Sequence, residues 1–384
     1  MQGTKMNIGI IGCGTFCDAY IGTFAKNYPS ISVLSCSDLD TERAKATAEK
    51  WGLAKAYTTD DMLRDPEIDL VLIVTTPGSH YALTKQALNA GKHVYCEKPM
   101  ATSFEQAQEL ARLAAEKGLL TASAPDTFLS TEFQTVRRCI DDGMIGKVIS
   151  FTANYAGPGA DLWHPNADFL YKAGGGPVLD MAPYFISNLV ALFGPIEQIF
   201  GFATRGFEER TIRDHQCNVE VQTDYCGVLR FKDGSIGNIN MSYDRWKSKL
   251  PGLEIYGTDG VLFAPDPNTM QGDIMLLKAE DFQSAVLAKQ DFHDRLGVIY
   301  GQESFQLFHK VDTVEPRLGN QRGRGIADMA EALEKGRAPR VGADFCVHVT
   351  EAMFALDSCQ TRKEAYVMKT ECVRPAALYE STRA

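Results

Sequence analysis

The sequence predicts an α/β protein in two parts, an N-terminal Rossmann domain (a doubly wound parallel sheet) over residues 1–125 and a C-terminal α+β domain over 126–384 whose sheet is mainly antiparallel. Three observations carry this. The chain of 384 residues exceeds the roughly 250–300 at which a single hydrophobic core stops growing. From Asn7 to about Ala124 short β-branched runs alternate with amphipathic stretches, the pattern of a parallel sheet wound with helices. After Asp126 the texture changes to longer strands with period-two alternation.

Ile8–Ile11, Val33–Cys36, Leu70–Val74, His93–Cys96 and Leu119–Ser123 read as the strands of the first part. Thr41–Lys50, His80–Ala90 and Ser103–Lys117 have helical periodicity, with Thr41 and Ser103 as expected N-caps. One more helix, about Glu132 to Asp142, precedes the second sheet. There Val219, Val221, Thr223 and Tyr225 alternate with Glu220, Gln222 and Asp224, and Asp233-Gly234 and Asp259-Gly260 read as hairpin turns, so one face is apolar and the other polar. From Pro265 to Arg324 the pattern weakens into an irregular stretch that reads as an arm or lid. A helix from Ile326 to Lys335 closes at Gly336, and a last amphipathic segment runs from about Asp344 to Gln360.

With 39 basic against 49 acidic residues, a net charge of −10, the chain lacks the electrostatic footprint of a nucleic-acid or anionic-membrane binder. The Leu70–Val74 run is far short of the ~20 residues a membrane helix needs, and Met1–Asn7 lacks the apolar core of a secretory signal. Ten cysteines scattered without a CxxC pair suit reduced thiols in the cytoplasm. His215 and Cys217 lie close in sequence, but no second cluster has ligand spacing, so no metal is expected. No GxSxG elbow supports a serine nucleophile.

Gly12-Cys13-Gly14-Thr15-Phe16-Cys17 follows the first strand and opens a helix, the context a dinucleotide fingerprint requires. Gly12 permits the tight turn, and Gly14 lets the backbone approach a pyrophosphate at the helix N-terminus. Cys17 replaces the third glycine. Asp38 ends the second strand, where a carboxylate accepts ribose hydroxyls and repels a 2′-phosphate, and neutral Leu39 follows where an NADP site often places arginine. NAD is therefore expected over NADP. Thr75-Thr76-Pro77 falls at the carboxyl edge of the sheet, and His80 either faces the cofactor or starts a helix.

These motifs resemble the glucose–fructose oxidoreductase, inositol dehydrogenase and rhizopine catabolism (Gfo/Idh/MocA) family over nearly the whole chain. The resemblance rests on the Gly12–Cys17 turn, Thr76-Pro77 followed by His80, Gly91-Lys92-His93-Val94 leading to Glu97-Lys98-Pro99, and Gly174-Gly175-Gly176 with Asp180 beyond. It implies a Rossmann domain joined to a domain with an open, mainly antiparallel sheet through which homodimers or homotetramers form, and a sugar-like substrate held between the two. It implies that Glu97 and Lys98 lie at the cofactor, and that Lys98 and Asp180 lie near the nicotinamide and the reacting hydroxyl. Many members carry histidine four residues after that aspartate; here the residue is Tyr184.

The resemblance therefore implies a dehydrogenase exchanging a hydride between a secondary alcohol of a sugar, polyol or glycoside and a nicotinamide. Lys98 would hydrogen-bond the reacting oxygen, Tyr184 relay or accept the proton, and Asp180 orient them. Asp126, Tyr155, Trp163 and His164, with Asp244 and Trp246, are candidates for lining the sugar site, because aromatic faces stack on C–H surfaces and carboxylates accept hydroxyl protons. Redox-neutral glycoside cleavage with recycled NAD and a non-catalytic NAD or sugar sensor are the alternatives.

Overall fold

Strand β1 (Met6–Ile11) feeds directly into helix α1 (Thr15–Asn27), and the same alternation continues through β2 (Ile31–Ser37), α2 (Thr41–Trp51), β3 (Lys55–Tyr57), α3 (Thr59–Arg64), β4 (Leu70–Ile73), α4 (Pro77–Asn89), β5 (His93–Cys96), α5 (Phe104–Glu116) and β6 (Thr121–Ser123). The structure is a computed structural model describing residues 5–164 and 166–379. The six strands form one parallel sheet in the order β3-β2-β1-β4-β5-β6, the doubly wound Rossmann arrangement. Ile8, Ile10, all of β4 and Val94 are fully buried, as strands covered on both faces must be. The sequence reading lacks β3, a three-residue edge strand with no apolar run, and α3 after it.

Helix boundaries follow local chemistry. Asp40, rather than Thr41, caps α2, its carboxylate accepting the amides of Glu42 and Arg43. Ser103 caps α5 as expected, accepting the Gln106 amide. Helix α4 starts at Pro77, whose missing N–H costs nothing at a first helical position, so His80 lies inside the helix.

The chain divides into two compact units, and the first comprises, among the described residues, 5–129 together with Leu318–Phe354 and Lys369–Pro375. The sequence reading puts a single boundary after residue 125; contacts instead return a late segment to the Rossmann sheet. Helix Arg324–Lys335 donates the Gly325 amide to Asp126, Phe345 packs on Phe128 at 4.9 Å, and Cys346 accepts the Ser123 amide beside β6. Hydrophobic cover for a sheet edge is set by packing, which one-dimensional texture does not carry.

Among the described residues, the second unit holds Ser130–Arg317, Ala355–Met368 and 376–379. Its main elements are α6 (Thr131–Asp141), β7 (Val148–Ala156), α7 (Pro177–Phe193), β8 (Ile196–Thr204), β9 (Glu209–Ile212), β10 (His215–Asn218), β11 (Asp224–Phe231), β12 (Ile236–Ser242), β13 (Leu253–Gly257), β14 (Gly260–Ala264), β15 (Met275–Lys278), β16 (His309–Lys310) and β17 (Tyr366–Val367). Nine strands pair in the order β16-β15-β14-β13-β7-β12-β11-β8-β17, antiparallel throughout except β7 with β12, and β9 with β10 make a separate ribbon. Helix α7 packs on β11 and β12, and its Phe193 stacks on Phe151 of β7 at 5.4 Å.

Both expected hairpin turns are present, at Asp233-Gly234 between β11 and β12 and at Asp259-Gly260 between β13 and β14. The expected alternating strand from Val219 begins only at Asp224. Ahead of it the Val219, Glu220 and Thr223 amides bond to Glu208, Tyr171 and Thr204, three different partners, so extended backbone forms no ladder. The stretch from Pro265 is more regular than its sequence suggests: β15 is followed by helices Ala279–Leu287 and Phe292–Tyr300. Ala279–Leu287 buries no residue and Phe292–Tyr300 only Val298, which is why their apolar periodicity is faint.

Candidate active site

The glycine turn after β1 is built by steric demand. Gly12 has φ +102°, and a Cβ on it would lie 2.8 Å from the Val74 carbonyl oxygen beyond β4. Gly14 is the N-cap of α1, and nothing lies within 4 Å of where its Cβ would be. Free space therefore fronts the unpaired amides at the start of α1, between β1 and β4, where the strand order reverses; a pyrophosphate fits there by charge and by room. Thr15 and Phe16 open the helix, and Cys17 is buried. The Cys13 thiol donates to the Ser37 carbonyl at 3.5 Å, and the neighbouring Cys17 and Cys36 thiols hold it below its usual range.

Asp38 is fixed by two amides, that of Cys13 at 2.8 Å and that of Asp40 at 2.9 Å. Its side chain is 12% exposed, with the Arg43 guanidinium 3.7 Å away, whereas Leu39 is fully exposed. Thr75 shares a 2.7 Å hydrogen bond with Ser79, and Thr76 is the N-cap ahead of Pro77. His80 is fully buried, its ring nitrogens 3.0 Å from the Thr75 carbonyl and 2.8 Å from that of Pro99. It braces the turn after β4 against the Lys98–Pro99 peptide, which is cis.

Glu97 directly follows β5 with its carboxylate committed internally: Tyr20 donates to Oε1 at 2.8 Å, Arg322 stands 3.7 Å from the same oxygen, and the Lys98 amide donates to Oε2. The next residue, Lys98, thus emerges at the carboxyl edge of the parallel sheet. Asp126, expected in the second domain, lies in the first unit. It is buried, it accepts the Gly325 amide at 2.7 Å, and burial pushes its carboxyl pKa up.

In the second unit the glycine run 174–176 launches α7. A Cβ on Gly175 would meet the Phe169 carbonyl oxygen at 2.5 Å, and Gly176, the N-cap, has φ +93°. Asp180 falls in the first turn, not at the cap, and its Oδ2 accepts the Tyr243 hydroxyl at 2.6 Å. Tyr184 is buried one turn later, and Pro183 between them removes the amide that would close on Leu179.

Tyr155, near the end of β7, meets the Tyr243 ring edge-on at 6.2 Å. Trp163 is 68% exposed, and its ring and that of Phe169 each meet the His164 ring edge-on at 5.5 Å. Pro165, beside them, lies outside the described residues. Asp244 is consumed internally, by Arg210 at 2.6 Å, Thr223 at 2.6 Å and the Gly206 amide at 2.8 Å, while Trp246 is exposed. His215 is held by Asp168 at 2.8 Å, which raises the imidazole pKa.

Residues 6–124 match a family model described as an oxidoreductase family with an NAD-binding Rossmann fold, and residues 133–263 match the Gfo/Idh/MocA C-terminal domain. The chain belongs to the Gfo/Idh/MocA oxidoreductase family. It is similar to 1,5-anhydro-D-fructose reductase of Ensifer adhaerens, 28% identical over 71% of this chain and 80% of that one. It is also similar to myo-inositol 2-dehydrogenase of Thermotoga maritima, 26% identical over 67% and 75%. The fold matches an NAD-binding oxidoreductase from Klebsiella pneumoniae with a TM-score of 0.78 at 21% identity, over 96% of this chain and all of that one.

This Gfo/Idh/MocA chain thus has an NAD-binding Rossmann domain, and it is an oxidoreductase. Among the described residues, no helix is long and apolar enough to cross a membrane. Sequence reasoning missed Arg210, Tyr243, Asp161 and Tyr171, a buried cluster in which Arg210 bonds Asp244 and the Tyr243 and Pro158 carbonyls while Tyr171 donates to Asp161. A signal existed: Arg210 shares the buried face of its strand with Ile212, and Tyr243 continues the buried alternation of Ile239 and Met241.

Proposed function

We propose that the protein is a cytoplasmic NAD-dependent dehydrogenase moving a hydride between a secondary alcohol or ketone of a sugar, polyol or glycoside and the nicotinamide. One observation carries the reading: the Gly12–Gly14 turn, Asp38 and Lys98 all sit at the carboxyl edge of one parallel sheet, around the point where its strand order reverses. Bound NAD supplies the hydride acceptor, since no side chain takes a hydride. Lys98 hydrogen-bonds the reacting oxygen, Tyr184 accepts or relays the alcohol proton, and Asp180 orients them. Relatives named as an anhydrofructose reductase and an inositol dehydrogenase support the substrate class.

The exposed Trp163 ring with His164 and Phe169 supports a stacking platform for a sugar ring, with Tyr155 near it in sequence. Asp38 supports NAD over NADP, because its carboxylate repels a 2′-phosphate. Phe202, Val228 and Ile236 are exposed on one face of the nine-stranded sheet, where Val228 pairs with Phe200 and Arg230 with Ile236, and this apolar face supports a homodimer or homotetramer through the sheet.

The test is absorbance at 340 nm with NAD and with NADP against aldoses, inositols, uronates and glycosides. Steady NADH production with a sugar or polyol, lost in Lys98→Ala, is the expected result. Calorimetrically demonstrable NAD binding with silence across the panel overturns the reading in favour of a sensor, and glycoside breakdown without NADH overturns it in favour of redox-neutral cleavage.

A further inference from the structure

We propose that Tyr243 is the positioning residue of Asp180: its hydroxyl holds the carboxylate in one orientation and in its ionised form, and turnover depends on that hydrogen bond. The inference rests on the role given to Asp180 under Proposed function. The bond is 2.6 Å long, and Tyr243 is 2% exposed, so water does not compete for it. A donor to a carboxylate favours the charged form and, on one oxygen, stops the group from rotating.

Tyr243 is itself over-determined. Its ring meets those of Tyr155 and Tyr171 edge-on at 6.2 and 6.1 Å. Its amide donates to the Thr223 carbonyl at 2.8 Å, and its own carbonyl accepts Arg210 at 2.9 Å, an arginine pinned in turn by Asp244. Burial, then the charge of Asp180, pushes the phenol well above its ordinary range, so Tyr243 stays protonated and serves as a donor rather than a proton carrier. Among the described residues, the titratable and charged groups around Tyr243 include Tyr155 from β7, Tyr171 with its partner Asp161 ahead of α7, and Arg210 with its partner Asp244, while Tyr184 follows Asp180 by one turn on α7.

Tyr243→Phe keeps the ring and removes one oxygen. With the substrate found at 340 nm, kcat falls about tenfold to a hundredfold, the usual cost of losing a hydrogen bond to a charged group, while the NAD dissociation constant holds. The acid limb of the kcat/KM pH profile moves upward, because a carboxylate deprived of a donor binds its proton more tightly. Asp180→Asn is run beside it, and thermal melting confirms that both variants are folded. Asp180→Asn inactive and Tyr243→Phe slowed with a raised acid limb is the supporting result. Asp180→Asn at parental turnover overturns the role of Asp180 and the inference with it. With Asp180→Asn inactive, a Tyr243→Phe profile whose acid limb is unmoved, at whatever kcat, overturns the inference alone.

Discussion

The dinucleotide end of the first unit and the Asp180 end of the second are made of different material. The first is mostly backbone: a glycine at φ +102°, the free amides that open α1, and Asp38 tied to two neighbouring amides. The second is mostly side chain: Asp180, Tyr243, Tyr171, Asp161, Arg210 and Asp244 come from segments between residues 161 and 244 and meet through hydrogen bonds and ring edges. A backbone site tolerates little at its glycines and much around them. A side-chain cluster holds buried charge, so its failure mode is unpaired charge.

Arg210→Met breaks this comparison hardest. The guanidinium neutralises Asp244 at 2.6 Å and stands 3.6 Å from Asp161, with all three side chains buried. Removing one partner of a buried ion pair costs about 3–5 kcal/mol. In a unit of this size the melting temperature falls by about 10 °C, read by calorimetry, while NAD affinity stays at the parental value. A shift under a few degrees means that water already shares the cluster.

Gly12→Ala is the matching change in the first unit. Its Cβ meets the Val74 carbonyl oxygen at 2.8 Å in a backbone conformation that side chains rarely adopt, so the turn must open. The NAD dissociation constant, measured by titration calorimetry, rises about a hundredfold, equivalent to about 2.7 kcal/mol. Parental affinity would mean that the turn relaxes without losing its amides.

The difference in material is also the difference in legibility. Gly12, Gly14 and Asp38 are neighbours along β1, α1 and β2, so their spacing reports their geometry, and the Rossmann strands were readable as apolar runs. Tyr243 reaches Asp180 across 63 positions, and Arg210 reaches Asp244 across 34, and no local period encodes such a meeting. The return of Leu318–Phe354 to the first unit was hidden for the same reason. Buried polar parity, as at Arg210 and Ile212, is the trace such clusters leave in a sequence.

Asp38→Ser sharpens the electrostatic side. It removes the charge that repels a 2′-phosphate and frees Arg43, 3.7 Å from it in the parent, to meet one. The NADP to NAD ratio of kcat/KM then rises about tenfold or more, equivalent to at least about 1.4 kcal/mol. A ratio unchanged from the parent would take cofactor choice away from this carboxylate.

The smallest effect separates a wall from a ligand. Asp126 was a candidate for the sugar site, yet it is buried in the first unit against the Gly325 amide, with burial raising its carboxyl pKa. A carboxyl whose pKa is higher folded than unfolded lends stability below its unfolded value, and that contribution is lost as pH rises through the folded one. Asp126→Asn still offers an oxygen to Gly325 and has no charge to bury. The variant should therefore gain on the parent as pH climbs from about 4 towards neutral, by about 2 °C in melting temperature, with the gap constant beyond. Its KM for the sugar should stay unchanged. A melting gap that does not vary with pH, together with a raised KM, would return Asp126 to the substrate side of the comparison.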